Sequence, residues 1–265
     1  MSGDSGGQGA RKYGLSVFFP CYNEEGNVRR VVAEAMAFLP AVSDDFEIIV
    51  VNDGSGDRTG AIADELAAAD GRIRVVHHPA NRGYGGALQS GFRAAGKELV
   101  FFADGDGQFD IRDLGRLLPL IERFDIVVGY RERRRDNVIR RWNAFWWGLL
   151  TQRLLGFRCR DVDCAFKLFR RAVFDHIEMK SAGALISAEI LARAARAGYT
   201  MTEVPVAHRP RVAGRQTGAN LRVIARAFRE LWRLRKTIRS TSQPGTGVPP
   251  CSGAASDDRA DPPAF

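Results

Sequence analysis

Long apolar runs are missing from this chain. No stretch of about 18 or more apolar residues occurs, so no transmembrane helix is expected. The opening residues, MSGDSGGQGARK, lack the apolar core of a signal peptide, which leads to the expectation of a cytoplasmic protein. Cysteine is scarce: Cys21, Cys159, Cys164 and Cys251 include no C-x-x-C pair. A structural zinc site or a disulfide framework is therefore not expected, and each cysteine reads as buried and reduced. No G-x-x-x-x-G-K-[ST] phosphate loop is present, and no internal repeat. The one glycine-rich loop, Asn81-Arg82-Gly83-Tyr84-Gly85-Gly86-Ala87, is not a dinucleotide fingerprint, because Leu88 stands where the third glycine belongs. Lysine is rare as well, at five residues against 34 arginines.

What is present is a globular composition. The 265 residues are 45% hydrophobic and 26% charged, with a mean hydropathy of −0.21, enough for one large α/β domain with a real core. The formal charge is +8. Arginine grips phosphate and carboxylate with a planar fork, so the excess points to phosphorylated partners or an anionic membrane. A GC-rich codon bias is the competing account of the total. Position separates the two. Residues 131–171 hold twelve basic and four acidic side chains, whereas the other 224 residues carry 27 of each sign. Codon bias would spread the charge, and this charge sits in one segment.

Hydrophobic patterning alternates strand and helix. Apolar runs at 14–19, 46–51, 73–77, 98–103 and 125–129 read as buried parallel strands, with a further strand at 201–207. Helical spacing marks 28–39, 59–69, 84–95, 110–123 and a segment near 184–197. This is the pattern of a doubly wound, mostly parallel sheet, whose ligand lies beyond the carboxyl ends of the strands. Residues 1–12 and 241–265 read as disordered ends flanking a domain over 13–240. Within that domain 131–160 is basic and Trp-rich, with three of the four tryptophans in 142–157, and 220–239 is a second basic amphipathic stretch. Both have the composition of helices lying in a membrane interface, and both also suit ordinary packing on the sheet.

Three strand ends carry acids: Pro20-Cys21-Tyr22-Asn23-Glu24, Asn52-Asp53-Gly54-Ser55-Gly56-Asp57 and Asp104-Gly105-Asp106-Gly107-Gln108. In an extended segment Asp104 and Asp106 face one point, and Gly105 between them admits a close backbone approach to a ligand. Two carboxylates with the amide oxygen of Gln108 suit Mg²⁺ or Mn²⁺ completed by a diphosphate. A calcium EF-hand is excluded, because the twelfth position from Asp104 is Gly115. The glycine loop at 81–87 reads either as an anion site at a helix N-terminus or as close packing of helix on sheet.

In this order, PCYNEE, VNDGSGD, NRGYGGAL and ADGDGQ resemble the motifs of family-2 glycosyltransferases. VDCAFKLFRR (162–171), and Glu189 followed by EVPV (203–206), narrow the resemblance to the dolichyl-phosphate mannosyltransferase and polyprenyl-phosphate glycosyltransferase branch, over roughly residues 14–232. The resemblance implies a GT-A type α/β fold, Rossmann-like, with amphipathic membrane-interface helices. It implies that Pro20, Tyr22 and Glu24 hold base and ribose, that Asp53 hydrogen-bonds the base, and that Asp104, Gly105 and Asp106 with Gln108 carry the metal and diphosphate. Arg131, Arg141 and Arg215 would meet phosphates of donor or acceptor, Asp161 would lie near the reacting sugar with Asp163 a second candidate, and Arg211 with Gly214 would close over the diphosphate.

The sequence departs from that pattern at Ala165, where the family carries Gly, at Gly105, where it carries Ala, and at the R-x-x-G element, whose lysine is missing and whose charge falls to Arg215. C-terminal transmembrane helices common in relatives are not found. Attachment would then rest on the basic segments or a separate membrane-anchor protein.

The implied reaction is inverting transfer of a hexose from a nucleotide-diphosphate sugar (GDP-mannose or UDP-glucose type) to a polyprenyl phosphate at the cytoplasmic membrane face. A phosphate monoester is largely ionised at neutral pH and needs no strong base. Transfer to a hydroxyl acceptor, with Asp161 as an obligatory base, is the alternative within the fold. A non-catalytic nucleotide-sugar-binding protein is argued against by the intact acid pair. Nucleic acid is not an expected partner, since no module for it is recognisable.

Overall fold

A computed structural model of the chain describes residues 13–132, 150–183, 185–210, 230–232 and 234–237. Its frame is a seven-stranded sheet with helices packed against it. The elements run β1 (Leu15–Cys21), α1 (Val28–Phe38), β2 (Phe46–Asn52), α2 (Thr59–Ala69), β3 (Ile73–His77), α3 (Gly83–Ala94), β4 (Leu99–Ala103), α4 (Leu114–Leu117), β5 (Ile126–Arg131), β6 (Phe166–Arg170), α5 (Val173–His176), α6 (Ile186–Arg196) and β7 (Met201–Val206). The strand order is β3-β2-β1-β4-β6-β5-β7. The chain winds outward from β1 through β2 to β3, then crosses to the other side of β1 for β4. The crevice between β1 and β4 is thus the switch point where a doubly wound sheet binds its ligand.

The central strands form because their sequences suit burial on both faces. Every residue of β2 (FEIIVVN) and of β4 (LVFFA) is buried. Helix α1 turns Val28, Val31, Val32 and Ala35 to the sheet. Phe92 of α3 sits at the centre of an aromatic cluster, edge-on to Phe18 of β1 (4.9 Å between centroids), to Phe102 of β4 (5.6 Å) and to Phe169 of β6 (5.5 Å).

Two expectations need correction. The helix expected over 110–123 is a broken series: a 3₁₀ turn at Ile111–Asp113, one α turn at α4, then 3₁₀ geometry over Leu118–Glu122. Pro119 is the cause, since its ring and missing N–H cannot continue the α ladder, although Leu114, Leu117 and Ile121 are still buried as the periodicity required. Residues 166–170, quoted in sequence only as a motif, form β6, antiparallel to both β4 and β5 (Phe102 opposite Lys167, Val127 opposite Leu168). The parallel pairs β1–β2, β1–β4, β2–β3 and β5–β7 keep the sheet mostly parallel.

The expected ends at 1–12 and 241–265, the tryptophans of 142–147 and most of the basic stretch 220–239 lie outside the described residues. Of that stretch, Leu231 and Leu234 are buried and Trp232 is 60% exposed. Among the described residues, no helix is long and apolar enough to cross a membrane.

The seating of α3 on β1 gives a test of the packing. A methyl group on Gly91 would lie 2.3 Å from the Phe18 ring. Helix propensity alone favours alanine there by about 1 kcal/mol. The clash should win, with Gly91→Ala destabilising the fold by about 1–3 kcal/mol; a raised melting temperature would show that α3 is not pressed on β1.

Candidate active site

The parallel register sets Cys21 opposite Asn52, so the loops after β1 and β2 emerge side by side and zip together. The Asn23 N–H donates to Ser55 Oγ (3.0 Å) and the Gly56 N–H to Asn23 Oδ1 (2.9 Å). The Glu25 N–H donates to Asp57 (3.1 Å), while the Arg58 N–H donates to Glu25 (3.1 Å). Asn23 pays for this geometry with a left-handed backbone, φ 56°. Glu24 is buried, its N–H bonded to Thr59 Oγ1 (2.7 Å) and its carboxylate to Asn27 Nδ2 (2.7 Å), ahead of α1. Partial burial works against ionisation of Asp57, but hydrogen bonds from the Thr59 hydroxyl and N–H hold its carboxyl below the usual range. Pro20 is half-buried and Tyr22, at 45% exposure, presents its ring to solvent.

Asp53 is only 3% exposed, and its Oδ1 is occupied within the protein, by His78 Nδ1 (2.5 Å) and the Arg82 N–H (2.9 Å). His78 passes on to Ser90 Oγ through Nε2 (2.8 Å). What the structure displays for Asp53 is a tie between the β2 end and the loop entering α3.

The acid pair follows β4. The segment is not extended as expected: Gly105 and Asp106 form a turn, and Gly107 takes φ 71°. Asp106 is buried and its Oδ1 accepts the Gln108 N–H (3.0 Å). Gly105 is required by its own protein rather than by a ligand, since a Cβ there would stand 2.4 Å from Cys21 Sγ. Burial first, and then the facing charge of Asp106, push the Asp104 carboxyl up to about 7. The neighbouring Tyr84 hydroxyl and the cations Lys167 and Arg131 pull the other way.

Two facing carboxylates, plus an amide oxygen, fit a hard divalent cation. Gln108 gives its Nε2 to the Arg209 carbonyl (3.1 Å), which leaves Oε1 as the end to face an ion. Among the described residues no group of three His, Cys, Asp or Glu is placed to hold a metal. Part of any ion's shell must come from elsewhere, as a diphosphate would supply. The same bond, with Arg209 N–H to Gln108 O (2.7 Å), ties the acid turn to the strand leading to Arg211. Arg141, Arg211 and Arg215 lie outside the described residues.

Asp161 and Arg131 are brought together as a two-pronged ion pair: Nε to Oδ2 at 2.7 Å, Nη2 to Oδ1 at 2.9 Å, with the Arg131 N–H on Oδ2 at 3.3 Å. Asp161 is buried, whereas Asp163 is exposed. Burial disfavours the Arg131 charge, but the Asp161 hydrogen bonds and charge more than offset that and raise its affinity for the proton. Behind them Lys167, fully buried, donates to the carbonyls of Val162 (3.1 Å) and Cys164 and lies 5.5 Å from the Phe102 ring centre. Sequence reasoning assigned Lys167 no role; its signal was a lysine inside an apolar strand.

The glycine loop chooses packing. The Gly85 N–H donates to Ala182 O (2.9 Å), and a Cβ on Gly85 would lie 2.4 Å from Ser181 O. Cys21, Cys159 and Cys164 are free and buried, with burial pushing the Cys159 and Cys164 thiols up to about 12, far from reactive.

Acids and cations gathered at the switch point of a mostly parallel, GT-A-like sheet define the class of fold and site. Residues 16–178 match the model of glycosyl transferase family 2, and the chain belongs to that family. It is 36% identical over 74% of its length to glycosyltransferase AglD of Haloferax volcanii, of which it spans 33%. It is 31% identical over 78% of its length to polyprenol monophosphomannose synthase of Mycolicibacterium smegmatis, covering 82% of that protein. A third relative, the undecaprenyl-phosphate 4-deoxy-4-formamido-L-arabinose transferase of Pseudomonas paraeruginosa, is 32% identical over 61% of this chain and 48% of its own. The chain thus spans a third to a half of two of these relatives. In fold it resembles glucosyl-3-phosphoglycerate synthase from Mycobacterium tuberculosis, solved with Mg²⁺ and UDP, at TM-score 0.63 and 19% identity over 89% of this chain and 83% of that one.

The raised Asp104 carboxyl has a pH signature. Between its ordinary value of 3.8 and about 7 the folded protein holds a proton that the unfolded chain has released, so this group's contribution to stability falls as pH rises through that window. A cation must displace that proton. The rise in melting temperature on adding Mn²⁺ should be small at pH 5.5 and full above pH 8; an equal rise at both values would contradict the assignment.

Proposed function

We propose that this chain transfers a hexose from a nucleoside-diphosphate sugar, of the GDP-mannose or UDP-glucose type, to a polyprenyl phosphate, with inversion at the anomeric carbon. The observation that carries the choice of acceptor is the Arg131–Asp161 pair. A carboxylate with both oxygens engaged by a guanidinium is held ionised and is a poor base for a hydroxyl. A lipid phosphate needs no base. The names of the relatives from Mycolicibacterium and Pseudomonas, both of which concern polyprenyl phosphates, support the same reading.

In this mechanism Tyr22, Glu24 and Pro20 border the nucleoside, with Asp53 bracing the loop beside it. Asp104 and Asp106, with Gln108, would hold Mg²⁺ or Mn²⁺, and a bound cation would supply charge neutralisation for the departing diphosphate. Arg131, aimed by Asp161, faces the acceptor phosphate. A phosphate oxygen attacks the anomeric carbon and a new C–O bond forms. The bond to the donor diphosphate breaks, its electron pair leaves with the nucleoside diphosphate, and no proton changes hands. Arg141, Arg211 and Arg215 add cations to the phosphates on this reading.

The enzyme works on a membrane-borne substrate from the cytoplasmic face in this proposal, held by its basic segment or by a separate anchor protein. The concentration of the whole net charge in 131–171, and the exposed Trp232 with the Arg235 guanidinium 5.3 Å from its ring centre, support an anionic lipid surface as partner.

The test incubates the protein with Mg²⁺ or Mn²⁺, polyprenyl phosphate and a panel of nucleotide sugars, and follows lipid-linked product. Absence of that product with every donor, together with transfer to a hydroxyl acceptor, overturns the reading. Asp161→Asn supplies the sharper test. It leaves Arg131 charged and unpaired, at a cost of about 3 kcal/mol in stability. Donor affinity should be kept while KM for the lipid phosphate rises at least tenfold; a fall in kcat alone, with a changed pH profile, would mark Asp161 as a base.

A further inference from the structure

The loop that carries Asp161 meets one row of the sheet, and two charged residues of that row hold it. Register places Phe102 of β4 opposite Lys167 of β6, Lys167 opposite Val128 of β5, and Val128 opposite Glu203 of β7. Residues opposite one another project from the same face of a sheet, and neighbouring strands lie about 4.8 Å apart. Lys167 and Glu203 therefore flank the buried Val128, their backbones roughly 10 Å from each other. A cation and an anion set into an apolar sheet need partners, because burying them without any is costly. Both find theirs in the loop that leads into β6.

Charge decides which half of the loop each one takes. Glu203 holds the incoming half: its Oε1 accepts the Arg160 N–H (2.7 Å) and the Cys159 thiol (3.4 Å). Lys167 holds the outgoing half, Nζ donating to the carbonyls of Val162 (3.1 Å) and Cys164. Asp161 lies between the two. Gln152 Oε1 adds a further tie by accepting the Cys159 N–H (2.9 Å), and the Cys164 N–H closes the turn on Asp161 O (3.1 Å). The Arg160 guanidinium lies 5.0 Å from the ring centre of Tyr130, two residues beyond Val128 on β5. A loop without these ties could bring Asp161 to Arg131 from many directions, because both side chains rotate freely. Anchored at 160 on one side and at 162 and 164 on the other, it has one approach.

We propose that Lys167 and Glu203 are positioning residues for the acceptor phosphate. Together they fix the backbone on both sides of Asp161 and, through Asp161, the direction in which Arg131 presents its remaining N–H groups. The inference rests on the reading of Arg131 as the group that faces the acceptor phosphate. It extends that site inward, to one residue of β6 and one of β7.

The experiment compares wild type with Lys167→Met, Glu203→Met and Glu203→Gln in the full chain, each also combined with Asp161→Asn. Thermal melts check the fold. The hold on the loop is read without substrate, by the rate at which a thiol reagent labels Cys159 and Cys164, mapped by peptide mass spectrometry; both thiols are buried. Lys167→Met and Glu203→Met should speed that labelling about fivefold or more, while Cys21, at the end of β1, keeps its wild-type rate. In transfer assays KM for polyprenyl phosphate should rise about tenfold, the worth of one hydrogen bond to a charged group, with kcat and KM for the nucleotide sugar within about threefold. Glu203→Gln keeps an oxygen for the Arg160 N–H and should recover most of the lipid affinity that Glu203→Met loses. Added to Asp161→Asn, neither methionine variant should raise KM further, because both act through that carboxylate. Wild-type labelling in the folded methionine variants overturns the hold on the loop. Faster labelling with an unchanged KM for the lipid, or losses that add to those of Asp161→Asn, overturns the link to the site. If Lys167→Met does not fold, the two Glu203 variants decide both points. If wild type forms no lipid-linked product, the acceptor reading has failed and the link falls with it, whereas the labelling rates still uphold or overturn the hold on the loop.

Discussion

The site depends first on β1 pairing in parallel with β2 on one side and β4 on the other. That arrangement brings the ends of three strands, each finishing in acids, to one edge of the sheet within a few residues of register. Like charges crowded at a buried edge repel, and the protein meets this in two ways. Around the first two strands the carboxylates of Glu24, Glu25, Asp53 and Asp57 are given N–H and side-chain donors, so they become the ties that join one loop to the next. At the end of β4, Asp104 and Asp106 face each other, Asp106 accepting the Gln108 N–H while Arg131 and Lys167 moderate the repulsion felt by Asp104. The ties among the first acids hold the shape of the edge, and the perturbed carboxyl, Asp104, lies in the facing pair beside them.

The antiparallel strand β6 is what makes that moderation possible. Inserted between β4 and β5, it sets Lys167 opposite Phe102 and starts beside Ala103, immediately before the acid pair. The loop that leads into it carries Asp161 back to the end of β5, where Arg131 waits. Burying an ion pair of this kind gains little stability, because desolvation takes back most of the attraction. Its effect is geometric: a guanidinium held by two parallel hydrogen bonds has one orientation, with its remaining N–H groups presented in a fixed direction.

Much of this was legible in the chain itself, and the reasons for the exceptions are physical. The parallel strands were visible because burial on both faces leaves unbroken apolar runs such as FEIIVV and LVFF. The acid clusters were visible because the switch-point rule says where strand ends meet. Strand β6 was missed because FKLFR contains a lysine whose charge is satisfied by carbonyls that only the folded loop supplies. The helix over 110–123 kept its apolar face and lost its continuity, since periodicity records which side is buried while Pro119 decides the backbone. The two readings of the glycine loop could not be separated in sequence. The partner that separates them, the carbonyls of 181 and 182, lies almost a hundred residues away.

Gly105 shows how a departure from a family pattern acquires meaning only in context. Between two acids a glycine invites the idea of a backbone made bare for a ligand. The neighbour that occupies the space is instead Cys21, whose sulfur would meet any Cβ at 2.4 Å. Alanine at this position therefore requires a smaller side chain at the end of β1. The two positions form a steric pair across the switch point, and the thiol does the filling: burial, with the acids around it, pushes its ionisation far above the ordinary range, so it takes no part as a thiolate. The crevice at the switch point is thus sized by how β1 and β4 close on one another, and the acids beside it are set by that same contact.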